Sequence, residues 1–294
     1  MAGTIGFVGL GVMGEPMCRN MAQRSGRPVV AYDLSSAPLA RLAEHGVAAA
    51  GSAAAVMRAA DIVMLVLPGG PQLENVCRGP AGLLAHARPG QIVVDHGTSP
   101  VALTRTLAAE FAAKGVAYAD APIARTRAAA EAGTLSITVG ADAETMAAIR
   151  PLLACCAEEI SHCGPVGSGQ VVKLMNNMVL FQTVAALCEA LAIGRAAGVD
   201  GAVLFNALSK GSADSFALRN HGMKAVLPDA FPERAFSTEY ALKDLSYALD
   251  LAEQAGMAPK GAEVAREYLT AAAEKGFGKL YWPAISRVIV PREE

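Results

Sequence analysis

A chain of 294 residues with 53% apolar side chains is long enough for about two domains, each burying its own core. Lys+Arg 25 against Asp+Glu 27 leave a formal net charge of -2, which offers no field to draw the chain onto nucleic acid or an anionic membrane. A small-molecule partner is the expectation that remains.

The first residues, Met1-Ala-Gly-Thr-Ile, lead into an apolar run without a basic leader, so a cytoplasmic protein is expected. Up to about residue 163, short β-branched runs alternate with alanine-rich helical stretches, the pattern of a parallel sheet covered by helices on both faces. Strands are expected at Ile5 to Val8, Val29 to Tyr32, Ile62 to Leu67 and Ile92 to Asp95. Further ones follow at Val116 to Ala119, Leu135 to Val139 and Glu159 to His162. The first four are almost continuously apolar, as strands buried on both faces are. Gly164-Pro-Val-Gly-Ser-Gly then reads as a joint, and no strand is expected beyond it.

From about Gly167 to Ala197 the helical period continues without proline, which predicts one helix long enough to run through a second domain and stack on a partner subunit. Its most apolar stretch, Met178 to Gly194, is interrupted by Gln182 and Glu189, so no span approaching a membrane crossing is expected. Shorter helices are expected at about 200–209, 237–255, 260–275 and 282–289. The fold class is therefore α/β: an N-terminal Rossmann-type doubly wound sheet over 1–163, then an all-α domain over 164–294 with a long interdomain helix.

Cysteines at 18, 77, 155, 156, 163 and 188 show no C-x-x-C spacing and read as small buried hydrophobes. Cys155, Cys156, His162 and Cys163 lack zinc-site spacing, so no metal is expected.

Gly9-Leu10-Gly11-Val12-Met13-Gly14 fits G-x-G-x-x-G directly after the first strand, where glycines let backbone and helix N-terminus approach a pyrophosphate. Asp33 follows nineteen residues after Gly14, the place of the carboxylate that accepts from adenosine ribose hydroxyls. With Leu34-Ser-Ser next and no arginine to receive a 2'-phosphate, the cofactor is expected to be NAD. The bland alternative for Asp33 is a cap for the helix near Ser36.

Four segments in this order resemble the β-hydroxyacid (3-hydroxyisobutyrate) dehydrogenase family. They are Gly9 to Met17 (GLGVMGEPM), Asp95 to Pro100 (DHGTSP), Asp120 to Leu135 (DAPIARTRAAAEAGTL) and Gly164 to Asn177 (GPVGSGQVVKLMNN), with Lys243-Asp244 in a later helix. The resemblance implies that Lys173 is the catalytic acid or base, with Asn177 one turn on and Asn176 beside it orienting the substrate. It further implies that Leu67, Pro68 and Thr98 pass near the cofactor together with the glycine turn. Lys243 would lie near the nicotinamide, or else be an exposed helical lysine. Phe236 would cover the ring, or else be a core aromatic.

Two places depart from the family pattern. Its small residue and Ser-Gly-Gly after Asp-Ala-Pro end here as Ala124, Arg125 and Thr126, so the serine that holds a substrate carboxylate is missing. An Arg-Thr pair there resembles the 3-sulfolactaldehyde reductase branch, which implies a small anionic substrate bearing a sulfonate, or alternatively a carboxylate. Gly97 stands where serine is common. An imine reductase and a non-catalytic cofactor-binding module share the two-domain plan, but both usually lack the lysine found at 173.

Overall fold

The computed structural model describes residues 3–233 and 235–290. The chain separates into two compact units, Met1–Lys173 and Leu174–Glu294. In the first, strands β1 (Ile5–Val8), β2 (Val29–Tyr32), β3 (Val47–Ala49), β4 (Ile62–Leu65), β5 (Ile92–Asp95) and β6 (Ala117–Asp120) are parallel, in the order β3-β2-β1-β4-β5-β6. Beyond β6 come β7 (Ile123–Ala124), β8 (Leu135–Gly140) and β9 (Ala157–Gly164), with β8 antiparallel to β6 and β7 and parallel to β9. The order reverses between β1 and β4, the switch point outside which ligands bind in such sheets.

Between the strands lie α1 (Gly14–Arg24), α2 (Ser36–Ala43), α3 (Ala53–Ala59), α4 (Gly70–Cys77), α5 (Leu83–His86), α6 (Val101–Ala112), α7 (Arg127–Ala132) and α8 (Ala143–Leu153). Each face of the sheet has its own core. Ile5, Phe7, Ile62, Met64 and Val94 belong to one apolar cluster, and their chain neighbours Val8, Val63, Leu65 and Val93 to another, the two-residue alternation of a strand buried on both sides. Cys18, Cys77, Cys156 and Cys188 are fully buried, and burial pushes each thiol up from its ordinary value, as expected of inert hydrophobes.

The strand expected over Ile62 to Leu67 stops at Leu65, so Leu67 and Pro68 stand in the loop beyond it. β3 and β7 were not anticipated. β3 is an edge strand with two of its three residues exposed, and β7 has only two residues, so neither carries an apolar run.

One helix, α9 (Ser168–Ala196), carries the chain past Lys173, and its 29 residues agree with the expected long helix. Its best 18-residue window has a mean hydropathy of 1.5, so by length and composition it could cross a membrane, and the expectation that no stretch approaches that is corrected. Gln182 and Glu189 do not dilute the window enough. The same length and hydropathy describe a core helix of a water-soluble protein.

The second unit continues with α10 (Gly201–Leu208), α11 (Thr238–Gln254), α12 (Lys260–Ala272) and α13 (Ser286–Ile289). Asp200 caps α10 by accepting from the amides of Ala202 and Val203, and Ser237 caps α11 by accepting from Tyr240. Among the described residues this unit holds two isolated bridges and no strand. A π-helix over Leu218–Val226 was not foreseen, because five-residue hydrogen bonding leaves no 3.6-residue signature.

Candidate active site

The glycine turn sits at the switch point. Gly9 takes φ +95, and a side chain there would strike the Val66 carbonyl at 2.3 Å; one at Gly14 would strike the Gly9 carbonyl at 2.2 Å. Those two glycines are demanded by packing, and the second lets α1 start against the sheet. A Cβ at Gly11, by contrast, would meet nothing within 4 Å, which leaves an open backbone path across the turn for a pyrophosphate. Met13 supplies no side-chain cap for α1, but the Glu15 amide donates to the Gly11 carbonyl at 3.1 Å and Pro16 has no amide hydrogen, so the helix start offers few donors to that opening, and Val12 is exposed on the turn.

Asp33 lies one residue past β2. Its Oδ2 accepts from the Leu10 amide at 2.6 Å and its Oδ1 from the Ser35 amide at 2.8 Å, so it braces the glycine turn, while Ser35 holds the N-cap position of α2. A carboxylate has about four acceptor directions, so two remain for ribose hydroxyls. The nearby guanidinium of Arg41 is clamped by Glu15 at 2.6 and 2.8 Å, which also holds that carboxyl below its usual range. That ion pair is exposed and holds Arg41 only weakly, so the preference for NAD rests on the Asp33 carboxylate, which would repel a 2'-phosphate. These residues fit NAD.

Leu67 lies between Gly9 and Gly97, the residue before Thr98. The Leu67 side chain lies 3.2 Å from the position a Gly9 Cβ would take, and a Cβ at Gly97 would approach the Leu67 carbonyl at 2.9 Å. Glycine at 97 thus has a packing reason. Pro68 is exposed on the same loop.

Two fully buried carboxylates, Asp95 and Asp120, stand opposite each other at the ends of β5 and β6. Asp95 accepts from the Gly97 amide at 2.9 Å and the Ser99 hydroxyl at 3.3 Å. Asp120 accepts from the amides of Gly167 at 2.6 Å and Gln170 at 2.8 Å, so it caps α9 from a strand away. Burial raises its carboxyl above the usual range, and these amides pull it back. Only glycine fits at 169, where a Cβ would lie 2.9 Å from Asp120 Oδ2. Lys173, partly buried, comes one turn later. His96, also buried, places its Nδ1 2.8 Å from the Ala121 carbonyl, and burial pushes its pKa down to about 4. It is neutral at ordinary pH, with Nδ1–H donating.

The departures at 124–126 take definite forms. Ala124 ends β7 opposite Ser136. Arg125 adopts φ +83, the left-handed region where glycine is at ease. Its Nη1 donates to the Thr134 carbonyl at 2.6 Å and to Glu158 at 2.7 Å. Thr126 caps α7, accepting from the Ala129 amide.

The remaining residues fall in the second unit. Asn177 is buried and donates from Nδ2 to Asp244 Oδ2 at 2.8 Å, while its Oδ1 accepts from Asn176 at 3.1 Å. Lys243 Nζ lies 3.1 Å from Asp244 Oδ1 and within 5.2 and 5.3 Å of the Tyr240 and Tyr247 ring centres. Asn176, Asn177 and Lys243 are therefore gathered around Asp244, a residue sequence reading passed over as a mere neighbour. A carboxylate directly after a lysine within an amphipathic helix, on the buried side, is the signal that could have found it. Phe236 stacks against buried Phe181 at 6.1 Å, and its carbonyl accepts from the Trp282 amide.

Residues 4–164 match the NAD-binding domain of 6-phosphogluconate dehydrogenase, and residues 167–289 match the NAD-binding segment of NADP-dependent 3-hydroxyisobutyrate dehydrogenase. The chain belongs to the 3-hydroxyisobutyrate dehydrogenase family. Like its relatives in this family, it is an NAD-binding oxidoreductase that acts on the CH-OH group of small molecules. It is 32% identical to the 2-(hydroxymethyl)glutarate dehydrogenase of Eubacterium barkeri, over 97% of this chain and 94% of that protein. It is 35% identical to the 3-hydroxyisobutyrate dehydrogenase of Pseudomonas aeruginosa, over 84% and 83%. The solved structure of Mycobacterium tuberculosis 3-hydroxyisobutyrate dehydrogenase with L-serine covers 98% of the chain and 99% of its own, with TM-score 0.89 at 30% identity. An imine reductase from Pseudomonas sp., at 18% identity and TM-score 0.61, shares the fold alone.

Proposed function

We propose that this family member interconverts a small C3–C4 aldehyde and its alcohol, on a substrate carrying a terminal anion, and that the anion is a sulfonate, as in 3-sulfolactaldehyde and 2,3-dihydroxypropane-1-sulfonate. Bound NAD supplies the hydride exchange. Lys173 gives a proton to the carbonyl oxygen as that carbon is reduced and takes it back from the hydroxyl in oxidation. Asn177, one turn along α9 and held by Asp244, orients the oxygen together with Asn176. The cofactor is held by Gly9, Gly11, Val12, Met13, Gly14, Asp33, Leu67, Pro68 and Thr98, with Lys243 and Phe236 toward its nicotinamide end. Residues 1–163 carry most of the cofactor contacts together with the Arg125 loop, and 164–294 carry Lys173, Asn176, Asn177 and the subunit contacts.

The observation that carries the substrate reading is Arg125 at φ +83 beside Ala124 and Thr126. A left-handed arginine where glycine is easier is a retained cost, and its guanidinium keeps Nε and Nη2 as donors after Nη1 is used. The Glu158 pair is solvent-exposed and worth about 0–1 kcal/mol, so an incoming anion can compete for the cation. The Thr126 hydroxyl accepts in its cap and keeps its proton to donate. Three sulfonate oxygens match these donors. A β-hydroxy carboxylate, as in 3-hydroxyisobutyrate or tartronate semialdehyde, is the second reading. It is favoured by the names of the relatives and by the commitment of Nη1 to Glu158.

An NADH-oxidation panel of sulfolactaldehyde, tartronate semialdehyde, methylmalonate semialdehyde and succinate semialdehyde decides between them. The sulfonate should give the highest kcat/KM, and a carboxylate ahead of it by tenfold would overturn the reading. We further propose a cytoplasmic homodimer or homotetramer. Its support is the exposed apolar stripe Val179, Ala186 and Ile193, at seven-residue spacing on α9.

A further inference from the structure

We infer that Gln170 is a positioning residue, which holds the cofactor loop around Thr98 in register with the turn of α9 that bears Lys173. The inference rests on the roles proposed above for those two residues. Gln170 is completely buried, and both ends of its amide are used on the same loop. Its Oε1 accepts from the Ser99 amide at 3.1 Å, and its Nε2 donates to the Gly97 carbonyl at 2.8 Å, so one side chain grips the backbone on either side of Thr98.

Its own backbone is pinned in turn. The Gln170 amide donates to Asp120 Oδ2, the next residue back accepts from the Thr138 hydroxyl at 3.1 Å, and the absent Cβ of Gly169 allows that approach. Lys173 follows three residues later, hence beside Gln170 on the helix surface. The loop is fixed from its other side by Asp95. Thus the ends of β5 and β6 each organise one part, and the Gln170 amide joins the two.

The joint has a chemical purpose. Hydride and proton reach the same substrate carbonyl from different groups, and a displacement of about 1 Å between such groups costs on the order of a hundredfold in rate. A buried amide with both ends satisfied holds the register, whereas a hydrophobe of equal length leaves the Ser99 amide and Gly97 carbonyl without partners in the interior.

Gln170→Met should keep the chain folded, lower kcat by about 10- to 100-fold and raise KM for NADH severalfold. Gln170→Glu separates positioning from a general structural role. Protonated, its carboxyl can donate to the Gly97 carbonyl and accept from the Ser99 amide as glutamine does; ionised, it cannot donate. The groups around it are Asp120 on β6, Asp95 and neutral His96 at the end of β5, Arg105 of α6 near Gly167, and Lys173 on its own helix. Two buried carboxylates and desolvation favour the protonated form. The variant's kcat relative to the unaltered enzyme should therefore rise as pH falls, while Gln170→Met shows no such limb.

Unaltered kcat and KM in Gln170→Met, or a loss of thermal stability with kinetics intact in both variants, would overturn the inference. Lys173→Ala is run beside them. If it retains full turnover, the reading of Lys173 fails; if it is inactive while both Gln170 variants work normally, only the positioning role fails.

Discussion

His96 makes the first unit sensitive to acid, by an amount that can be worked out. Its ring is 1% exposed, and burial outweighs the Ala121 carbonyl contact, so its pKa falls from the ordinary 6.5 to about 4. A base whose folded pKa is depressed takes up its proton more readily in the unfolded chain. Its stabilising contribution is complete above pH 6.5 and is lost as pH falls toward 4, below which both states are protonated. A difference of about 2.5 units at about 1.4 kcal/mol each corresponds to about 3 kcal/mol. Replacement by glutamine removes the titration and leaves an N–H for the Ala121 carbonyl. Urea unfolding followed by far-UV circular dichroism at pH 7, 6, 5 and 4 should show the unaltered protein losing about 3 kcal/mol more than His96→Gln over that range. Equal losses in the two proteins would mean that His96 titrates normally and that the end of β5 is open to water.

Asp33→Ala should raise KM for NADH by about 10- to 100-fold, because it removes both the ribose acceptor and the brace on the Leu10 amide. The unaltered enzyme should use NADH far better than NADPH, and comparable kinetics with the two would undo the assignment of Asp33. Arg125→Gly should relieve about 1–3 kcal/mol of backbone strain and lose about 0–1 for the ion pair, about 0.5–1.5 for the Thr134 hydrogen bond and about 0.5–1 for glycine's backbone entropy, so stability in thermal unfolding should change little. The same variant should lose affinity for the anionic substrate more than for NADH, and an equal loss of both would remove Arg125 from substrate binding.

Local pattern made some of this legible. The burial of Ile5, Phe7, Ile62 and Met64 on one face and of Val8, Val63 and Leu65 on the other leaves runs with no polar interruption, which is why β1 and β4 stand out. Gly14 is forced by the Gly9 carbonyl within the same turn, so its spacing from Gly9 is visible, whereas the Val66 carbonyl that excludes a side chain at Gly9 comes from beyond β4. β3, β7 and the π-helix are not, since each is too short, too exposed or of the wrong period. The site was less legible wherever a side chain acts across the fold. Nothing near Arg125 in sequence announces Glu158, thirty-three positions on, and nothing near Gln170 announces Gly97 and Ser99. The position of Asp33 after β2 marks it as a candidate acceptor, but its hold on the Leu10 amide depends on strand order and has no local signal.

Lys173→Ala tests the central claim most directly. NADH binding, titrated by fluorescence, should stay within about twofold of the unaltered enzyme, while kcat for aldehyde reduction falls by about 10² to 10⁴. Turnover unchanged in a variant that still binds NADH would contradict the assignment of proton transfer to this residue.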